Sequence, residues 1–215
     1  RGGGGITKPH LLESIHMALE KFLLRFAKDE EINTVESYLI YLIEHSKSAS
    51  ITAIVTSIVL AYPEKFFNVA MILFKTLALF HIDNLRQQHE GEAKTIYSIG
   101  YGLNKKKDIF ADERLKTCED KHRNLNIETI FRNYQFFGID GFTEEQNTEL
   151  IKKIYDVIDA HKENILVNQD GDKKSLEILI ARIDRRIMHP TVEKIDDLNY
   201  IIEFSPELSS ELQEH

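Results

Sequence analysis

Arg182 to Pro190, RIDRRIMHP, gathers three arginines and a histidine into a short span. Read as a continuous helix, it sets Arg182, Arg185, Arg186 and His189 along one side, opposite Leu176, Ile180, Ile183 and Ile187. Histidine can exchange a proton near neutral pH and arginine binds anions, so this face is the sharpest candidate for a site. The same residues also have a purely structural use. Cations in a last helical turn complement the helix dipole, each contributing a few tenths to about 1 kcal/mol, and a basic face also suits a partner. A second basic spot, Lys105, Lys106 and Lys107 in NKKKD, falls in an expected loop with no interleaved aromatic ladder. A solvated loop is the default there, with a nucleic-acid contact left open.

Other chemistries lack their residues. No G-x-x-x-x-G-K-[ST] cradles a phosphate, and no H-E-x-x-H or cysteine pair frames a zinc ion. His81 and His89 are too far apart to ligate from adjacent turns. In NQDGD, placing Gly171 at the sixth position of a calcium loop puts Leu166 at the first, which cannot ligate, so an Asp-Gly turn is expected. No cofactor and no metal are expected.

The elements that position these residues read as helices. No glycine lies between Gly5 and Gly91, and no proline between Pro63 and Pro190, whereas strand-rich domains need frequent turn residues. The first helix spans 8–28, with Leu11, Leu12, Ile15, Leu19, Phe22, Leu23 and Phe26 on its apolar face. Asn33 with Glu36 signals the cap of a second helix that runs to about His45, with Leu39, Leu42 and Ile43 inward.

Ser48 to Pro63 contains no charged residue, yet is shorter than the ~20 residues that cross a bilayer. Ala49, Ala53, Ser57 and Ala61 form a small-residue stripe, and the segment reads as a central helix enclosed by others. A fourth helix is expected over 64–88. Residues 91–107, with Gly91, Gly100 and Gly102, read as a loop or domain boundary.

Helices resume over 109–123 and 127–137, the latter burying Ile127, Ile130, Phe131, Tyr134 and Phe137. A GIDG turn follows, then a capping box of Thr143 and Gln146. The helix it starts buries Leu150, Ile151, Ile154, Tyr155, Ile158 and Ile165, and a last helix carries Leu176 to Ile187. Residues 191–204 then suggest a β-hairpin. The expected fold is mainly all-α: an irregular array of seven to eight helices with a small C-terminal hairpin, divided into a linker at 1–7, helices over 8–90 and 108–190, and an acidic tail at 205–215.

With 215 residues, 42% of them hydrophobic, the chain can build a sizeable core. Its net charge of −8 argues against nucleic acid or an anionic membrane as the main partner, though local basic patches can override the average. A single cysteine, Cys118, excludes an internal disulfide and fits a reducing, cytoplasmic setting. Arg1 to Gly5 reads as a flexible linker or a fusion junction, so a fragment of a longer chain is expected.

ESIHMALEKFLLRFA, SASITAIVTSIVLAYPEKFFNVAMILFKT and LIARIDRRIMHPTVE followed by IIEFSPEL resemble a segment downstream of the ATPase core in large prokaryotic STAND-type NTPases, the NACHT-like and AP-ATPase-like proteins of antiviral defence. The resemblance runs from about Glu13 to Glu207 and rests on packing residues. It implies a helical module that senses a target, or couples sensing to an effector, inside a protein that binds ATP elsewhere and oligomerises. No ATP-binding residue is carried over to this chain. Its implied partners are other domains of the same protein, or a protein target.

Arg182 and His189 are separately similar to the R-x₄₋₆-H pattern of HEPN-type ribonucleases, with Ile183 where those families usually place a polar residue. Three readings follow: a non-enzymatic scaffold of a STAND-type ATPase, a ribonuclease built on Arg182 and His189, and a free-standing helical protein that binds through residues 1–65.

Overall fold

The computed structural model describes residues 10–103, 116–117, 119–167, 173–194 and 200–206. Eight α-helices, two short 3-10 turns and one two-stranded sheet make up the described chain, so the fold is mainly helical with a small hairpin, as the residue pattern implies. It divides into two compact units, Arg1–Ile127 and Glu128–His215.

In the first unit, α1 (His10–Asp29), α2 (Ile32–His45), α3 (Ala49–Ala61), α4 (Phe67–Leu73) and α5 (Leu77–Leu103) follow one another, and a 3-10 turn occupies Lys121–Asn124. Helix α3 packs against α1, α2, α4 and that turn. Its residues Ile54 to Leu60 are all buried, which is why that stretch carries no charge: two turns enclosed on every side cannot solvate one. The small-residue stripe does not mark the contact, however. Ala49 and Ala53 are exposed, Ala61 is half-buried, and of the four only Ser57 is buried. Spacing of small residues permits close approach but does not say which face is approached.

Three further expectations fail here. The helix over 64–88 is two helices, because the backbone tightens after Leu73: Lys75 N–H donates to Ile72 and Thr76 N–H to Leu73, both three residues back. Phe74 and Phe80 bury their rings across that break, 6.1 Å apart. The loop over 91–107 is helical as far as Leu103, with Gly91 inside α5. A mid-helix glycine costs only about 1 kcal/mol, and α5 absorbs it. Residues 104–107 lie outside the described chain, as does most of the helix expected over 109–123. Helix α2 starts at Ile32, ahead of Asn33, and Glu31 at its cap makes no side-chain capping bond.

Helix α6 (Ile127–Phe136) opens the second unit from its second residue, Glu128, and α7 (Glu144–Val167), α8 (Lys173–Ile183) and a 3-10 turn at Arg185–Ile187 follow. The antiparallel strands β1 (Met188–Lys194) and β2 (Tyr200–Pro206) pair with Met188 opposite Pro206 and Lys194 opposite Tyr200. The Thr143 capping box forms in both directions: Thr143 N–H donates to Gln146 Oε1 at 2.8 Å, and Gln146 N–H to Thr143 Oγ at 3.2 Å. Gly138 turns the chain out of α6 at φ +71°, and Asn147 Oδ1 accepts from the next N–H, that of Ile139. Because α6 ends at Phe136, Phe137 leaves the helical face and is 70% exposed, not buried. No helix among the described residues is long and apolar enough to cross a membrane.

Candidate functional site

Helix α8 stops at Ile183, so the continuous helix read through His189 does not form. Asp184 caps the following 3-10 turn, accepting from Arg186 N–H at 3.0 Å. From Met188 onward the backbone is extended, and the strand includes Pro190, whose ring is incompatible with a helix interior. Arg182 therefore sits on a helix, Arg185 and Arg186 in a 3-10 turn, and His189 on an exposed strand position opposite Ser205. The shared helical face proposed for the four is not present.

The arginines are held by acids and carbonyls of their own unit. Arg182 Nη2 meets both oxygens of Glu128, at 2.9 and 3.0 Å, and Glu128 is 1% exposed. Arg186 forks onto Asp159, at 3.0 and 2.5 Å, and onto Asp184 with Nε and Nη2, each at 2.9 Å. Its guanidinium also lies 4.6 Å from the centre of the Tyr155 ring. Lys162 Nζ reaches Asp184 Oδ2, the oxygen that Arg186 Nη2 also meets, at 2.7 Å. Arg185 donates to the carbonyl of Gln135 and lies 4.9 Å over the Phe136 ring.

Gln135, itself buried, completes the arrangement. Its amide donates to Ile183 O at 2.7 Å and its oxygen accepts from Arg185 N–H at 3.1 Å, so it joins the end of α8 to the next turn. Buried polar groups need partners, and these residues supply one another.

Electrostatics follow from that packing. Burial opposes the charged form of Asp184, but hydrogen bonds from Arg186 and Lys162 outweigh it, and the carboxyl sits below its ordinary value. The Arg186 hydrogen bond likewise lowers Asp159, and the two carboxylates raise Arg186. The segment is thus a charge clamp joining α6, α7 and α8. Lys105, Lys106 and Lys107 lie outside the described residues.

A second polar network, with no signature in the sequence, lies in the first unit. Ser57 Oγ donates to Glu20 at 2.5 Å, and Glu20 pairs with Arg123 at 3.0 Å. Arg123 meets Glu90 at 3.1 Å, Glu90 meets Arg86 at 3.4 Å, and Arg86 meets buried Asp83 at 2.6 Å. Asp83 accepts the N–H of Ile127 at 2.7 Å, and Arg86 donates to Leu125 O at 2.5 Å. Together they fasten the 121–127 segment to α1 and α5, with α3 joined through Ser57 and Glu20. Within it His122 is buried, and burial first, then the Arg123 charge, push its imidazole below its ordinary value.

The feature most unlike a folded interior is a face of α1 and α2. Ile15 is 54% exposed, Phe22 58%, Tyr38 56% and Tyr41 57%. Phe26 joins the two helices, stacked on Phe22 at 5.7 Å and edge-on to Tyr38 at 5.6 Å. The apolar face read for α1 is only partly covered by this chain. Leu23 and Ala27 are its buried pair, while Leu12 and Met17 are also exposed. The signal was present: the apolar stripe of α1 is wider than one neighbouring helix covers.

No protein-family model matches the chain, and no curated protein matches it.

Proposed function

We propose that the chain is a non-enzymatic helical scaffold that holds another protein, or another domain of its own protein, on the exposed face of α1 and α2. One observation carries this reading: Ile15, Phe22, Tyr38 and Tyr41 are each more than half exposed on adjoining helices. Scattered exposed apolar residues are ordinary, but a contiguous group rich in Phe and Tyr is the composition of interface cores. Partial support comes from the arginine clamp, whose Arg182 and Arg186 serve buried or paired carboxylates.

The resemblance to the helical segment of STAND-type defence ATPases supplies the wider setting: a module that couples target sensing or domain contacts to an effector, in a cytoplasmic protein whose ATP site lies elsewhere. The test places a photo-reactive phenylalanine analogue at Phe22, and at exposed Lys152 as a control, in the full reading frame that contains this chain. Crosslinks from position 22 to one defined polypeptide segment, not reproduced from 152, are the expected outcome. Identical products from both positions, or none from either, would refute the reading.

A further inference from the structure

We propose that the occupant of the α1–α2 face is an amphipathic helix of another protein whose flank is acidic. The inference rests on the scaffold reading and narrows its partner. Ile15, Leu19, Phe22 and Phe26 are spaced 4, 3 and 4 residues apart, the seam spacing of one helix against another. Leu19 and Phe26 are half-buried while Ile15 and Phe22 stand out, so the seam offers both knobs and the shallow positions between them. Tyr38 and Tyr41 continue the apolar surface onto α2, and Tyr41 is steadied by stacking on His45 at 4.1 Å.

Charge selects the partner. Lys21, Arg25 and Lys28 follow one another at i, i+4 and i+7 along α1, all exposed, and the helical period sets them across Phe22 from the buried pair Leu23 and Ala27. This basic border belongs to a chain of net charge −8, so it is a local feature and not the average surface. An approaching helix with glutamates on the matching flank would pair with that border while its apolar seam covers Phe22 and Phe26.

A second copy of this chain fits worse: a two-fold contact centred on Phe22 brings each copy's basic border beside the other's, with Asp29 to Glu31 beyond its reach. An anionic bilayer also fits worse. The chain as a whole is acidic, and Asp29, Glu30 and Glu31 stand exposed at the C-terminal end of the same helix. A partner helix can arrange its charges around those acids, whereas a uniform anionic surface cannot.

The probes are two fluorescein-labelled peptides with the same leucine seam, one flanked by glutamates and one by lysines, titrated into the chain by fluorescence anisotropy. The glutamate peptide is expected to bind about tenfold more tightly than the lysine peptide. The preference should reverse in R25E/K28E and vanish with all binding in F22S, with circular dichroism showing both variants folded. Equal affinities, a preference for lysine, or no binding of either peptide at millimolar concentration would overturn the proposal. So would Phe22-dependent binding to phosphatidylserine vesicles, or Phe22-dependent self-association in the ultracentrifuge. If neither peptide binds while crosslinks from position 22 persist, the partner assignment fails and the scaffold reading stands. If those crosslinks are absent as well, both fail.

Discussion

Arg182 Nη2 lies within 3.0 Å of both carboxylate oxygens of Glu128, one side chain half-exposed and the other almost fully buried. The pair joins α8 to α6, and it explains why the most reactive-looking arginine in the sequence has structural work to do. Removing Arg182 leaves a carboxylate in the interior without its main counter-charge, and removal of one partner of such a pair is more damaging than loss of both. R182A is expected to lose about 2 kcal/mol in urea unfolding, and R182A/E128Q to recover part of that loss. A single variant as stable as the parent chain would mean that Glu128 is satisfied without Arg182.

Asp184 makes the second unit sensitive to acid. Its folded carboxyl sits below the unfolded value of about 3.9, so its stabilisation is fully present above that pH and is lost as pH falls through the lower folded value. Urea midpoints measured from pH 6 downward should fall across that window and fall less in D184N, which begins from a lower stability. An unchanged acid slope in D184N would contradict the clamp.

His122 acts at higher pH and in the same direction. Its folded imidazole titrates below the unfolded value of about 6.5, so the unfolded chain takes up a proton first and stability declines as pH drops below ~6.5. Glu20 and Asp120 oppose that shift while Arg86 and Arg123 reinforce it. A plot of unfolding free energy against pH should flatten below about pH 6.5 in H122Q; a slope identical to that of the parent chain would assign the dependence to another group.

Helix α3 separates exposed small residues from a filled core. Ala53 is exposed, so A53L is expected within about 0.5 kcal/mol of the parent chain. Ile58 is fully buried, and I58A should cost about 2–5 kcal/mol. Thermal melts of the two variants that rank them the other way round would place the wrong face of α3 inward.

Gly138 tests the turn after α6. At φ +71°, a Cβ would come within 2.7 Å of the Asn147 side chain that holds Ile139 N–H. G138A is expected to cost about 1–3 kcal/mol, read as a lower urea midpoint, from the left-handed backbone and the displaced asparagine.

Much of the fold was legible where its cause is local. The Thr143–Gln146 box, the paired strands β1 and β2 and the charge-free α3 each depend on a few neighbouring residues or on one helix's own burial. Glycine misled where a helix simply tolerates it, as at Gly91, and the end of α6 was misplaced by one residue, enough to turn Phe137 outward. The candidate site was harder to read. Arg182 meets Glu128 across 54 residues of sequence, and Arg123 meets Glu20 across 103. No local pattern encodes such pairs, so the arginines looked available when they were already engaged. The α1 face failed in the opposite sense: the apolar pattern was real, but a pattern does not reveal whether this chain or another molecule covers it.

The central claim is that the α1–α2 face is built for another molecule and contributes little to this chain's own core. Equilibrium urea unfolding of F22S/Y41S tests it most directly. The account predicts a loss of no more than about 1 kcal/mol, the scale of the ring contacts to Phe26 and His45, because each side chain is more than half exposed; a loss of about 2 kcal/mol or more, the scale of emptying a packed interior, would contradict it.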